Sequence, residues 1–346
     1  MIVSIILPIR NEQKFIAKTL DSILAQNFVG DLEIIIADGM SEDGTLEIIQ
    51  KYHDKNKDIK IVKNLDRVVP IGFNKALTIS RGDIIIRVDG HATICSGFIA
   101  NCVSLIQSKN VECVGGPIKH HSSTMIGDYV SIAQASKFGA GGASFRTKIK
   151  NGQFVNTLAF GAYKRDTFNQ IGGYDEELVR NQDEELNYRL IQNGGKIWID
   201  PSIKSLYYVR SSILKLFFQY FYYGFYKVRV IQKIKSIFSL RHLIPAIFVL
   251  IFNTFLALAI FQNKLFPIYL FGGIYLLISI AFSVYESIKH HSKPLILLPI
   301  IYFIMHFSYG LGFLLGFFYY INRWGDDILR DNHFDRKLFK SNSNVK

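Results

Sequence analysis

The sequence predicts an α/β domain with a mixed, mainly parallel, Rossmann-like sheet, followed by an interfacial helix and about three membrane-spanning helices. Three observations carry this reading. Short apolar runs alternate with helical periodicity through the first hundred residues. Long charge-free apolar runs crowd the last hundred. The charge divides the same way. Residues 1–200 hold 23 basic and 23 acidic residues, whereas residues 201–346 hold 17 basic and 5 acidic, so the whole net charge of +12 lies in the second part. No Asp or Glu occurs between Pro201 and Tyr285. That distribution argues against a distributed basic face for nucleic acid, and no nucleic-acid partner is expected. It fits a soluble domain ahead of a membrane domain with basic flanks. The expected divisions are a domain over 1–205, an amphipathic and basic linker over 206–242, membrane helices within 243–321, and a polar tail over 322–346.

The elements follow from local pattern. Ile2–Leu7 reads as a buried strand. It is too short for a signal sequence and lacks a basic region before it. Glu12–Gln26 has helical spacing, with Asn11 placed to cap it. Leu32–Ala37 is a second strand ending at Asp38, and Ser41–Tyr52 a second helix. Lys60–Lys63 is a strand, Pro70–Ser80 a helix, Ile84–Val88 a strand ending at Asp89, and Gly97–Gln107 a helix. Such alternation implies right-handed βαβ units, whose ligands bind at the carboxyl ends of the strands. Asp38 and Asp89 stand at two such ends. Further on, strands are expected at Val111–Gly115, Thr157–Tyr163 and Lys196–Ile199, helices at Lys164–Ile171 and Glu184–Asn193, and a loop at Gly139–Ser144. Three cysteines without a CxxC exclude a disulfide framework or zinc site and read as buried small hydrophobes.

Ile213–Val230 sets Leu214, Phe217, Phe218, Phe221, Phe225 and Val228 on one side, punctuated by lysines and arginine, as in a helix lying in a membrane interface. The runs Leu243–Phe261, Leu265–Tyr285 and Leu295–Ile321 are each long enough to span. Eight basic residues in 201–242 place the first domain in the cytoplasm, making this a multi-pass protein of the cell membrane. Three spans leave the tail outside. A third run broken near His306, Gly310, Gly312 and Gly316 returns it inside.

Five local motifs stand in order. They are Pro8-Ile9-Arg10-Asn11-Glu12, Asp38-Gly39-Met40-Ser41-Glu42-Asp43-Gly44-Thr45, Arg87-Val88-Asp89-Gly90-His91, Gly161-Ala162 running through Lys164-Arg165 to Gly172-Gly173-Tyr174-Asp175-Glu176, and Asn181-Gln182-Asp183-Glu184-Glu185-Leu186-Asn187-Tyr188-Arg189-Leu190. In this order and spacing the first 200 residues resemble family 2 glycosyltransferases of the GT-A fold. The membrane-anchored layout, with Arg210-Ser211-Ser212 and Gln219-Tyr220-Phe221-Tyr222-Tyr223-Gly224, resembles the succinoglycan-type exopolysaccharide transferases of that family.

The resemblance implies a membrane-bound inverting transferase. It would move one sugar from a nucleotide-sugar donor, expected to be UDP-linked, to a lipid-linked acceptor in bacterial exopolysaccharide or cell-surface glycan synthesis. Asp38 maps to a contact with the base or ribose, or else ties the turn at Ser41 as a cap. Pro8, Arg10 and Glu12 map to the other side of the nucleotide pocket, Arg10 serving equally as a surface charge. Asp89 and His91 stand where the family more often has Asp-x-Asp. Together they suit a divalent cation, Mn²⁺ or Mg²⁺, bridging the donor's diphosphate, although His91 is also placed to meet phosphate directly. Asp183 maps to the general base that takes the acceptor hydroxyl's proton. Glu184, Glu185 and Arg210 are candidates for acceptor or phosphate contacts. The Gln-x-x-Arg-Trp element of processive synthases is incomplete at Gln219, which favours one sugar per event. The absence of GxxxxGK[ST], and of GxGxxG after the first strand, excludes a P-loop NTPase and a dinucleotide dehydrogenase. Two alternatives stay open: a polyprenyl-phosphate glycosyl synthase, whose acceptor is already ionised and needs no base, and a non-catalytic membrane assembly subunit.

Overall fold

A computed structural model describes residues 1–122, 124–141, 145, 149–209, 212–235, 242–290 and 296–324. The described chain divides into two compact units. One comprises residues of 1–119 and 148–208, the other residues of 120–147 and 209–326.

The first unit is a mixed eight-stranded sheet with order β3-β2-β1-β4-β9-β6-β10-β8. Its strands are β1 (Ile2–Ile9), β2 (Asp31–Asp38), β3 (Ile59–Lys63), β4 (Ile84–Arg87), β6 (Cys113–Gly115), β8 (Gln153–Phe154), β9 (Ala162–Lys164) and β10 (Ile197–Ile199). The β1 run IVSIILPI is buried from Val3 onward, as two-sided packing requires of a central parallel strand. It pairs parallel with β2 through Ile2↔Asp31 to Ile9↔Asp38, and with β4 through Val3↔Ile84 to Ile6↔Arg87. Strand β9 runs antiparallel between β4 and β6. The crossover helices are α1 (Ile16–Leu24), α2 (Thr45–Lys55), α3 (Val69–Ile79) and α4 (Phe98–Lys109), with α7 (Arg165–Ile171) and α8 (Gln182–Gln192) later in the chain. The chain moves outward from β1 to β2 and β3, then returns to β4 on the other side. The carboxyl ends of β1 and β4 therefore flank a topological switch point. A second, three-stranded sheet has the order β5 (Ala92–Ile94), β11 (Ser205–Tyr208), β7 (Ile118–His121), with β5 and β11 antiparallel.

Several expected boundaries shift for identifiable reasons. Helix α1 begins at Ile16, not Glu12, and the residues before it form a turn tied to Asp43 and Thr45 through the Glu12 and Gln13 amides. These amides donate to Thr45 Oγ1 at 2.8 Å and Asp43 Oδ2 at 3.2 Å. Asn11 is accordingly no helix cap. The strand expected over Thr157–Tyr163 is confined to Ala162–Lys164, since Phe160 adopts φ of 51° and breaks the extended path. Cys102 and Cys113 are buried and Cys95 is half-buried, all three with free thiols.

The second unit contains α5 (Met125–Ala135), α6 (Lys137–Ala140), α9 (Ile213–Ile234), α10 (Ile244–Gln262), α11 (Phe266–Lys289) and α12 (Leu298–Tyr319). Helices α10, α11 and α12 are long and apolar enough to cross a membrane. The run with His306 and the three glycines is one continuous helix, not a broken one. Its glycines serve close packing: a Cβ on Gly312 or Gly316 would collide with the α9 carbonyls of Phe221 or Phe225, and one on Gly224 with that of Tyr309. The polar side chains on α12 are also placed by packing. His306 Nε2 lies 2.8 Å from the Phe138 carbonyl and Nδ1 lies 3.0 Å from the Tyr275 hydroxyl. Thus a stretch from the middle of the first 200 residues, α5 and α6, folds with the apolar helices. The expected loop at Gly139–Ser144 instead begins inside α6, which ends at Gly141 with φ of 70°. The stripe expected on α9 divides. Leu214, Phe218 and Tyr222 are exposed, but Lys227, Arg229 and Lys233 are buried rather than presented as a basic outer face. The tail from 325 lies outside the described residues.

Candidate active site

Three loops meet at the carboxyl ends of β1, β2 and β4. Asn11 adopts φ of 55°, and its side-chain oxygen accepts from the Glu42 amide at 2.8 Å. Its own amide donates to Ser41 Oγ at 2.9 Å. These bonds tie the loop after β1 to the loop after β2. Asp38 is buried at the end of β2, where its carboxylate accepts from Ser41 Oγ at 2.6 Å and from the Ser41 amide. The turn-forming role considered for Asp38 is therefore present in the structure. Pro8 lies within β1 opposite Ala37. Arg10 is partly exposed and stands 3.6 Å from Glu42.

Glu12 and His91 come together although 79 positions separate them. His91 Nδ1 lies 2.7 Å from Glu12 Oε1, and its Nε2 lies 2.8 Å from the Tyr207 hydroxyl on β11. Both ring nitrogens thus have protein partners. Gly90 makes this approach possible, because a Cβ there would stand 2.8 Å from Glu12 Cγ and from Ile9 Cγ2.

Asp89 is gripped by Arg87. Nε and Nη2 of the guanidinium both donate to Asp89 Oδ1, at 3.1 and 2.8 Å. Nη1 donates to the Tyr174 hydroxyl at 3.3 Å. Burial opposes the arginine's charge, but Asp89, Tyr174 and Asp183 raise its pKa well above the ordinary value. Asp183 sits in the first turn of α8 and accepts from the Glu184 amide at 3.0 Å. Burial raises its pKa above the usual aspartate value. The Glu184 and Asp89 charges act in the same direction, and Arg87 opposes them. Asp89, Arg87, Tyr174 and Asp183 therefore form one electrostatic cluster.

Glu185 has a different place from the one considered for it. It is buried, and both its oxygens accept from Arg189, at 2.8 and 2.7 Å. Arg189 also donates to the carbonyls of Ile171 and Gly173. Through Arg189 the pair ties α8 to the Gly172-Gly173 turn. Glu184 is half-buried beside Asp183, and Arg210 lies outside the described residues. Arg87, Tyr174 and Tyr207 were not singled out by sequence reasoning. The readable signal for Arg87 was an arginine on an otherwise apolar strand, two residues before an Asp.

The residues present fit a divalent cation that the protein holds by few of its ligands. Among the described residues, no group of three His, Cys, Asp or Glu side chains can cage a metal. The oxygen available is Oδ2 of Asp89, since Oδ1 takes two bonds from Arg87. A cation here would draw most of its ligands from phosphate oxygens and water, as Mg²⁺ and Mn²⁺ commonly do. His91 would have to give up a hydrogen bond to join it.

A mixed sheet with acidic groups converging at the switch point, in a chain that continues into membrane-length helices, suits an enzyme that binds a nucleotide-linked donor at the strand ends. Comparison with known proteins agrees. The model of glycosyl transferase family 2 matches residues 4–172. A relative from Methanococcus voltae is 31% identical over 323 residues, covering 91% of this chain and 96% of its own. The chain belongs to glycosyltransferase family 2 and is a glycosyltransferase. That relative is named a dolichyl N-acetyl-alpha-D-glucosaminyl phosphate 3-beta-D-2,3-diacetamido-2,3-dideoxy-beta-D-glucuronosyltransferase. The succinoglycan biosynthesis protein ExoA of Rhizobium meliloti is 26% identical over 89% of this chain and 93% of its own. In fold, the chain is similar to a mannosyltransferase from Pyrobaculum calidifontis solved with GDP-Man and Mn2+. The TM-score is 0.58 and the identity 16%, over 90% of this chain and 86% of that one. This likeness confirms the GT-A architecture.

Proposed function

We propose that this protein transfers one sugar, with inversion, from a nucleotide sugar to a hydroxyl of a lipid-linked acceptor at the cytoplasmic face of the cell membrane, for a cell-surface glycan such as an exopolysaccharide. The observation that carries this reading is Asp183. It is held at the start of α8 within electrostatic reach of Asp89, and burial makes it a stronger base than an ordinary aspartate. A base of raised pKa suits removal of a proton from a weakly acidic hydroxyl. The attacking oxygen displaces the nucleotide diphosphate from C1, and the proton passes to Asp183. A single displacement inverts the anomeric centre.

Asp38 and the loop from Pro8 to Glu12 are assigned to the nucleotide, with UDP the expected base carrier. Asp89 is assigned to the diphosphate and its divalent cation, Mn²⁺ or Mg²⁺, which would stabilise the departing charge when bound. His91 is assigned to holding Glu12 rather than to direct ligation. The relatives support a lipid-linked acceptor: one is named for transfer to a dolichyl phosphate-linked sugar, another for succinoglycan biosynthesis. A sugar acceptor presents a hydroxyl and so requires the base, which favours this reading over transfer to polyprenyl phosphate itself. The exposed apolar side chains Leu214, Phe218 and Tyr222 support an interfacial position for the start of α9.

The test is nucleotide release by detergent-purified protein with a panel of nucleotide sugars and a lipid extract, comparing wild type with Asp183→Asn. Loss of release in the variant supports the reading. Release that survives the substitution contradicts it.

A further inference from the structure

The buried arginine that grips Asp89 has no role in the reading above, and its geometry gives it one. Arg87 ends β4, and its amide donates to Gly161 on the neighbouring segment at 3.4 Å. Its guanidinium reaches two groups. Nε and Nη2 converge on Oδ1 of Asp89, and Nη1 meets the Tyr174 hydroxyl. Tyr174 is itself immobilised. Its amide donates to Asn74 Oδ1 at 2.9 Å, and Asn74 Nδ2 donates back to its carbonyl at 2.8 Å. Its ring packs 4.4 Å from that of Phe73. The arginine is therefore fixed at its backbone and at its far end. Two donors from one edge of the guanidinium converge on Oδ1, which restrains the Asp89 carboxylate. The same charge lies within reach of Asp183, on a different element of the chain.

Resting on the transferase reading, we propose that Arg87 is a positioning residue. It holds Asp89 in one orientation toward the donor diphosphate and its cation. A lysine cannot do the same, because its ammonium lacks the planar, spaced donors that reach Asp89 and the Tyr174 hydroxyl together.

The experiment uses the full chain in detergent, with Arg87→Lys and Arg87→Gln beside wild type. Initial rates of nucleotide release are followed against donor and against Mn²⁺. The expected result is a loss of roughly 100-fold in kcat/KM for Arg87→Gln, the scale of a misplaced reacting group. The Mn²⁺ concentration for half-maximal rate rises with it. Arg87→Lys stays folded yet remains well below wild type with the same shift in Mn²⁺ dependence. Variants within threefold of wild type, with unchanged Mn²⁺ dependence, would overturn the proposal.

A second measurement is independent of activity: thermal unfolding of Arg87→Gln, Asp89→Asn and the double variant. If Arg87 clamps Asp89, the single losses are not additive, and the double variant melts above Arg87→Gln, where the half-buried Asp89 is left without its counter-charge. Additive losses would overturn the clamp. If Asp183→Asn retains transfer while the cycle shows coupling, the base assignment fails and the clamp stands.

Discussion

Adding one methyl group to Gly224 should destabilise the membrane unit out of proportion to its size. Helices α9 and α12 approach backbone to backbone. A Cβ on Gly316 would stand 2.5 Å from the Phe225 carbonyl oxygen, and Cβ atoms on Gly224 and Gly312 would be closer still to the carbonyls of Tyr309 and Phe221. Real Cβ contacts do not fall below 3.0 Å, so the helices must part by at least 0.5 Å at Gly316 and by more at the other two. A gap of about 0.5–1 Å forfeits a quarter to a half of each dispersion contact across it. Those contacts include Leu216 and Tyr220 against Leu298, Ile301, Tyr302 and Met305, and Val228 and Ile231 against Phe313 and Tyr320. Overpacking of this kind costs about 1–3 kcal/mol. At 2–4 °C per kcal/mol, the melting temperature of Gly224→Ala or Gly312→Ala falls by roughly 2–12 °C. The assay is thermal unfolding in detergent, followed by loss of the monodisperse peak. Gly272→Ala and Gly273→Ala are the internal controls, because nothing lies within 4 Å of a Cβ at either position. If Gly224→Ala melts with those controls, the α9–α12 packing described above is wrong.

Three further outcomes follow. Glu185→Ala leaves the buried Arg189 without its carboxylate and should cost about 3–5 kcal/mol, read by the same unfolding assay; a loss no larger than that of a surface Glu→Ala change would refute the pairing. Because burial raises the Asp183 pKa above the ordinary 3.8, transfer should fail on acidification at a pH above the usual aspartate range. The sign for stability is opposite: the folded state binds that proton more tightly, so the contribution is complete below 3.8 and lost as pH rises through the folded value. Asp183→Asn should therefore melt above wild type at neutral pH while being inactive, and equal melting points would show that Asp183 carries no such penalty. Chelation with EDTA should stop nucleotide release, and Mn²⁺ or Mg²⁺ should restore it; release unaffected by chelator would remove the cation from the site.

The central strands were legible because a two-sided parallel strand must be apolar along its length, and IVSIILPI, DLEIIIAD and IIIR are nearly so. The three membrane-length helices were legible for a similar reason. What failed to show was long-range commitment of polar groups. Asn11 has the chemistry of a helix cap, and only the position of Glu42 reveals that it bridges two loops. Glu185 has the chemistry of an acceptor or phosphate contact, and only the fold shows that both its oxygens also pair with Arg189. His91 was legible as a ligand type but not as a pin between Glu12 and Tyr207, which lie 79 and 116 residues away. The association of α5 and α6 with the apolar helices was hidden because their buried faces are short and interrupted by small residues. Asp38 and Asp89 were legible as neighbours because strand ends in a βαβ sheet collect on one edge, whereas Asp183 stands in the first turn of α8 and only the folded chain brings its charge near Asp89.

The most direct test is transfer of labelled sugar from the donor that wild type accepts onto a lipid-linked sugar acceptor, with wild type and Asp183→Asn compared at saturating substrate. The account predicts a loss of roughly 10²–10⁴-fold in kcat, the scale of a general base, with the donor KM little changed. Transfer by Asp183→Asn within a few-fold of wild type would contradict it.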